Sequence, residues 1–150
     1  MEIEKTIEVL NTLVEINNDR IEGYDKAMNE TEEHDLKTMF SELAHTSHKC
    51  KNELAGEIYK LGGKPTEGTK VSGKFFRVWM DVKTALTGKD RKTILDLCEY
   101  GEDMAQETYE NTIKNDFEHL TIEQQALVYA QKALLRGDHN LVKSMRDVYV

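Results

Sequence analysis

Glu42-Leu43-Ala44-His45 spells Glu-x-x-His, a pairing that sets a carboxylate and an imidazole one helical turn apart, where both can grip one metal ion. A di-iron centre in a helix bundle needs two such pairs plus one Glu from each of two further helices, all aimed inward. At comparable height the chain offers Glu22, Asp25, Glu102, Asp138 and His139. This set is rich in oxygen, carries one imidazole and suits Fe, Mn or Zn. Further histidines stand at His34, His48 and His119, of which His48 lies three residues after His45. Neither a Gly-rich phosphate loop nor a Cys-x-x-Cys pair occurs, and no nucleophile comes with a recognisable base and orienter, so the sequence assigns no catalytic residue.

Whether these groups meet depends on the elements that carry them. Apolar residues return at helical spacing through four long segments. The first runs from about Glu4 to Glu30, with Ile3, Ile7, Leu10, Val14, Asn17, Ile21, Tyr24 and Met28 on one face. The second spans Asp35 to Leu61, carries Leu36, Phe40, Leu43, Ser47, Cys50, Leu54 and Ile58, and stops at Gly62-Gly63 before Pro65. A third follows an Asp90 N-cap with Ile94, Leu97, Cys98, Gly101, Ala105, Thr108 and Thr112. The fourth runs from Thr121 towards Val148, its stripe read as Leu127, Ala130, Leu134, Asp138, Leu141 and Met145. Gly101 and Gly137 suggest close helix approach. Antiparallel pairing of the first two helices across Thr31 to His34 matches residues whose numbers sum to about 64, which sets Asn17 against Ser47.

Nearly thirty residues join the second and third helices, and they hold a shorter amphipathic helix over Val71 to Leu86, with Phe75, Trp79, Val82 and Leu86 on one face. Sixteen helical residues cover about 24 Å and the loop before them about 20 Å more, enough to return the chain to the far end of the bundle. The expected fold is therefore all-α, an up-down-down-up four-helix bundle with a long crossover, over residues 1–150 as a single domain. In that order Cys50 and Cys98 sit at heights about 12 Å apart, too far for a disulfide, and two unpaired thiols fit a reducing, cytoplasmic setting. A net charge of -8 without a basic cluster argues against a nucleic-acid partner, and no apolar run reaches membrane-span length. Phe76 and Val78 fall outside the crossover stripe and are candidates for a homo-oligomer contact.

Several short motifs add a resemblance. They are Glu22-Gly23-Tyr24, Leu61-Gly62-Gly63, Arg77-Val78-Trp79-Met80-Asp81-Val82-Lys83, Leu86-Thr87-Gly88, Glu99-Tyr100-Gly101-Glu102-Asp103, Tyr109-Glu110, and His139 near Met145-Arg146-Asp147. Together they span nearly the whole chain, which resembles a family of bacterial ferritin-like four-helix bundles described only as a domain of unknown function. The resemblance implies a fold and no activity. Phe76 stands where that family often carries a His, so no role for that His passes to this chain.

Helical phase bears on the metal reading. At about 100° per residue, His45 points about 180° and Glu42 about 120° away from their apolar stripe, which places both in solvent. Arg136 precedes His139 by three, a cation where the second pair would need a carboxylate. Asp138 lies near the centre of its stripe, Asp25 about 40° and Glu102 about 80° off theirs, with Glu22 and His139 on the flanks. A carboxylate so placed needs a partner, and Tyr24, Arg20 or a metal could serve Asp138. Three functions follow, in order of preference. The first is a structural or interaction protein, stress-associated, with an incomplete di-iron site. Next comes a metal-binding protein or oxidase with a degenerate carboxylate and His site. The last is a small-molecule binder with a cavity near Asn17, Ser47, Cys50 and Gly101.

Overall fold

A computed structural model describes residues 2–68, 73–88 and 90–148, with the side chains of all but 73–79. The described residues are all-helical and contain no strand: α1 (Ile3–Glu30), α2 (His34–Lys60), α3 (Gly73–Gly88), α4 (Arg91–Asn115), a 3₁₀ turn over Phe117–His119, and α5 (Ile122–Asp147). Each long helix begins or ends within two residues of its expected limit. The crossover helix runs two residues beyond the expected Leu86. Val71 and Ser72, and the side chains of Phe75, Phe76, Val78 and Trp79 with the oligomer contact read from them, lie outside the described residues.

Local chemistry sets the boundaries. Asp90 caps α4 by accepting the Thr93 N–H at 3.2 Å and the Thr93 hydroxyl at 2.7 Å. Thr121 and Gln124 form a reciprocal capping box at the start of α5. The end of α2 closes with Gly63 N–H on Ile58 C=O and Gly62 N–H on Tyr59 C=O, both 3.0 Å, while Gly62 takes a left-handed φ of 79°. A Cβ on Gly63 would come within 2.7 Å of Ile7 Cδ1, so the chain passes against α1 there only because no side chain intervenes. The outgoing loop is pinned along α1 by two asparagines seven residues apart. Asn11 donates to Lys64 C=O and accepts from Thr66 N–H, and Asn18 donates to the carbonyls of Thr66 and Gly68.

Side-chain pairs fix the directions. Tyr24 and Phe40, whose numbers sum to 64, stack with centroids 6.0 Å apart, the expected antiparallel match of α1 with α2. Tyr24 meets Glu102 while Asn17 meets Tyr109, so α4 runs opposite to α1. On α5, Lys132, His139 and Arg146 are spaced by sevens and pair with Glu110, Asp103 and Glu99 of α4, an antiparallel seam. Arg91 at the start of α4 is ion-paired to Glu33 and Asp35 beside the first turn of α2. α3 lays Val82, Ala85 and Leu86 into the core.

Two features depart from the sequence reading. The buried residues of α5 are Gln124, Val128, Gln131, Leu135 and Val142, one step round from the expected stripe, with Ala130 and Leu134 exposed. Two glutamines lie in the true stripe, and their amides made it look polar. Gly137 is exposed with open space around it and marks no close approach, whereas Gly101 is buried.

Candidate functional site

Among the described residues the hydrophobic core falls into two clusters. One gathers Tyr24, Leu36, Phe40, Leu43, Ile94, Leu95 and Val142; the other gathers Leu10, Leu13, Val14, Leu54, Ile58, Val128 and Leu135. Buried polar groups occur along the helices between them, in two layers that each draw on all four long helices.

In the first layer, Arg20 of α1 lies in the interior with its side chain 1% exposed. Its Nε and Nη2 donate to Oε2 and Oε1 of Glu102 on α4 at 3.0 and 2.9 Å, a parallel fork with a carboxylate that is itself 1% exposed. Nη2 also donates to Asp138 Oδ2 on α5 at 3.1 Å, and Nη1 donates to Ser47 Oγ on α2. Tyr24 completes the cage. Its hydroxyl donates to Glu102 Oε2 at 2.5 Å, and its ring centroid lies 5.4 Å from the guanidinium carbon. Arg20 and Tyr24 reach this layer because Leu10, Leu13, Asn17, Arg20, Tyr24 and Ala27 follow the three-and-four spacing of an inward helix face.

The second layer lies towards the other cluster. Asn17 Nδ2 and the Tyr109 hydroxyl are 2.9 Å apart, the Tyr109 hydroxyl donates to Gln131 Oε1 at 2.7 Å, and Gln131 Nε2 donates to Cys50 C=O at 3.1 Å and to Glu53 at 3.3 Å. Asn17 and Ser47, expected to face each other, thus find different partners: Asn17 bonds Tyr109 and Ser47 bonds Arg20.

The electrostatics follow from burial and charge sharing. Burial alone works against the Arg20 charge. Glu102, Tyr24 and Asp138 more than reverse that, holding the guanidinium protonated above its ordinary range. Burial pushes the Asp138 carboxyl up despite Arg20, because Glu102 shares the same cation and adds like charge. Tyr24 is held well above the usual phenol range by burial and by Glu102. Both cysteines are free and buried. Burial pushes Cys50 up to about 11 and raises Cys98 as well, so neither is an activated nucleophile.

Of the five metal candidates, Glu102 and Asp138 come together, and a cation of the chain itself lies between them. Glu22 is exposed and pairs with Lys26 at 3.0 Å, Asp25 is half-buried, and His139 Nε2 lies 2.5 Å from Asp103 Oδ1 across the α4–α5 seam. Glu42 and His45 are exposed. Among the described residues no group of three or more His, Cys, Asp or Glu is placed to hold a metal ion. The donors also fail the fit chemically: both Glu102 oxygens and one of Asp138 are engaged by the guanidinium, whose charge would repel a metal ion. What this arrangement does is hold charge and position. Arg20 cannot exchange a proton near neutral pH, and the Tyr24 hydroxyl is already given to Glu102.

Sequence reasoning named Arg20 and Tyr24 as possible partners for Asp138 but missed the fork with Glu102 and the Tyr109–Gln131 chain. The available signal was spacing, since the heptad series of α1 continues through Arg20 rather than Ile21. A search of curated proteins finds no match to this chain. A family description matches residues 5–115, covering Arg20, Tyr24, Ser47 and Glu102 but not Asp138 on α5, and on that match the chain belongs to the family described as Domain of unknown function (DUF2383).

Proposed function

We propose that residues 1–150 form one ferritin-like bundle, its long helices running up, down, down, up, which serves as a structural or interaction protein. An internal ion pair occupies the place in its core where such bundles hold metal. The observation that carries this reading is Arg20, buried between Glu102 and Asp138 and bonded to Ser47, so that each of the four long helices supplies one member of a salt-bridged layer. The helix directions given by the cross-helix pairs support the topology. A role in binding another molecule makes no demand on metal ligands and is compatible with thiols and phenols that burial keeps neutral. No described helix is long and apolar enough to cross a membrane, so the reading invokes no lipid-spanning role.

The test is elemental analysis of protein purified without chelator or affinity metal, together with an Fe(II) oxidation assay. The expected outcome is metal well below one equivalent and oxidation no faster than in buffer. A stoichiometric transition metal, or accelerated oxidation, would sink the proposal.

A further inference from the structure

The cage around Arg20 is more particular than a place where charges cancel. Three nitrogens of one guanidinium make four directed bonds: Nε and Nη2 to the two oxygens of Glu102, Nη2 again to Asp138, and Nη1 to Ser47. The five N–H groups of a guanidinium lie in one plane, so a carboxylate set parallel to that plane discriminates the fork from a point charge. Tyr24 fixes the carboxylate by bonding Glu102 Oε2 and offers its ring to the cation. These acceptors come from α2, α4 and α5, and Tyr24 from α1, so the cage belongs to the folded bundle rather than to the Arg20 side chain. Its charge also points to a ligand: Glu102 and Asp138 together carry two negative charges when ionised, and Glu102 is almost fully buried. Such a carboxylate left without its cation is strongly unfavourable, which gives an emptied cage affinity for a replacement.

We infer that this layer is a guanidinium-binding site whose resident ligand is the chain's own Arg20, and that with the side chain truncated it takes a small alkylguanidinium from solution. The inference rests on the reading of the layer as an ion pair in a metal's place, and it goes further by naming the cation class that the cage selects. An alkylammonium offers one compact charge and cannot bridge both oxygens of Glu102 while reaching Ser47. A divalent metal would need oxygens converging on a point, whereas here they are spread along the edges of a planar fork.

The experiment is chemical rescue of Arg20→Ala. Melting of the variant is followed by circular dichroism with added N-ethylguanidinium, propylammonium or MnCl2, each at millimolar concentrations far below denaturing ones. The expected result is a lowered melting temperature of which at least half is recovered, saturably, with N-ethylguanidinium only. Glu102→Gln in the same background is expected to abolish the recovery. Should Arg20→Ala be unfolded by itself, the readout becomes recovery of helical signal on refolding with each additive, with the same expected order. No rescue by any additive, or equal rescue by propylammonium, overturns the inference. Rescue by Mn(II) in place of N-ethylguanidinium also overturns it, while leaving the reading of the wild-type protein to its own metal analysis. Metal found in the wild-type protein would sink that reading whatever the variant does.

Discussion

At the scale of single residues, Asp138 and Cys50 show burial acting on charge in two ways. Asp138 has one Arg20 nitrogen at 3.1 Å but shares that cation with Glu102, and its carboxyl is pushed up by burial. A carboxyl raised in the folded state binds its proton more tightly there than in the unfolded chain. Its contribution therefore favours folding at low pH and is withdrawn as pH climbs from the ordinary carboxylate range through the raised value. Asp138→Asn keeps an acceptor for Arg20 and removes that penalty, so its stability at pH 7 is expected within about 1 kcal/mol of wild type by urea unfolding, with the decline in stability as pH climbs through that window removed and the acid limb correspondingly steeper. Cys50, pushed up to about 11, has the same sign in a higher window. From the ordinary thiol range near 8.5 up to about 11, stability is expected to fall by up to about 1.4 kcal/mol per pH unit from this group, and Cys50→Ala should remove that part of the slope. The demand of Asp138 for a partner was legible from its stripe. Arg20 was legible as a candidate partner for it, whereas the fork with Glu102 was not, because Glu102 reads as lying about 80° off the apolar stripe of its helix.

Among the elements, α5 is where pattern and structure part. Leu127, Ala130 and Leu134 outweigh Gln124 and Gln131 in an apolar count, yet the glutamines are buried because the capping box and the Tyr109 chain satisfy their amides. Hydrogen bonding to partners distant in sequence is invisible to periodicity, so the phase was misread by one residue although both helix ends were placed well from Thr121 and the following run. The glycines provide a matched test. Gly137, exposed in α5 with open space around it, should gain about 0.5–1 kcal/mol on substitution by Ala, since the helix loses only backbone freedom in the unfolded chain. Gly63→Ala would drive a methyl towards Ile7 Cδ1 and should cost about 1–3 kcal/mol. Thermal melts of the two variants should shift in opposite directions, and a gain at Gly63 would mean that the chain leaves α2 along another path.

For the molecule as a whole, the all-helical character of the described residues and the order of four long helices with a shorter one between the second and third were legible because helical periodicity is a local quantity. Which groups meet in the middle was only partly legible, since it depends on four phases at once. The two layers separate hydrophobic clusters of similar make-up, and this suggests what they do for the fold. Apolar stripes alone would tolerate sliding of α4 and α5 by a heptad against α1 and α2, whereas the Arg20–Glu102 fork admits one register. Glu102→Gln alone should cost about 3–5 kcal/mol by leaving the guanidinium unbalanced. Arg20→Met with Glu102→Met should recover most of that loss in urea unfolding while narrowing amide dispersion and broadening lines in NMR spectra, the signature of an ensemble of registers. A double variant as dispersed as wild type would show that packing by itself sets the register.

Arg20 and Glu102 lie 82 residues apart in the chain. During synthesis the α1–α2 hairpin is therefore complete long before its guanidinium has a counter-ion, and a dry seam between the two helices would strand that cation. The nascent hairpin should stay open and hydrated until α4 emerges, which delays tight collapse to a late step. Folding would then be slower than expected for a helical protein of this size, and a fragment ending after α2 would be poorly ordered in isolation.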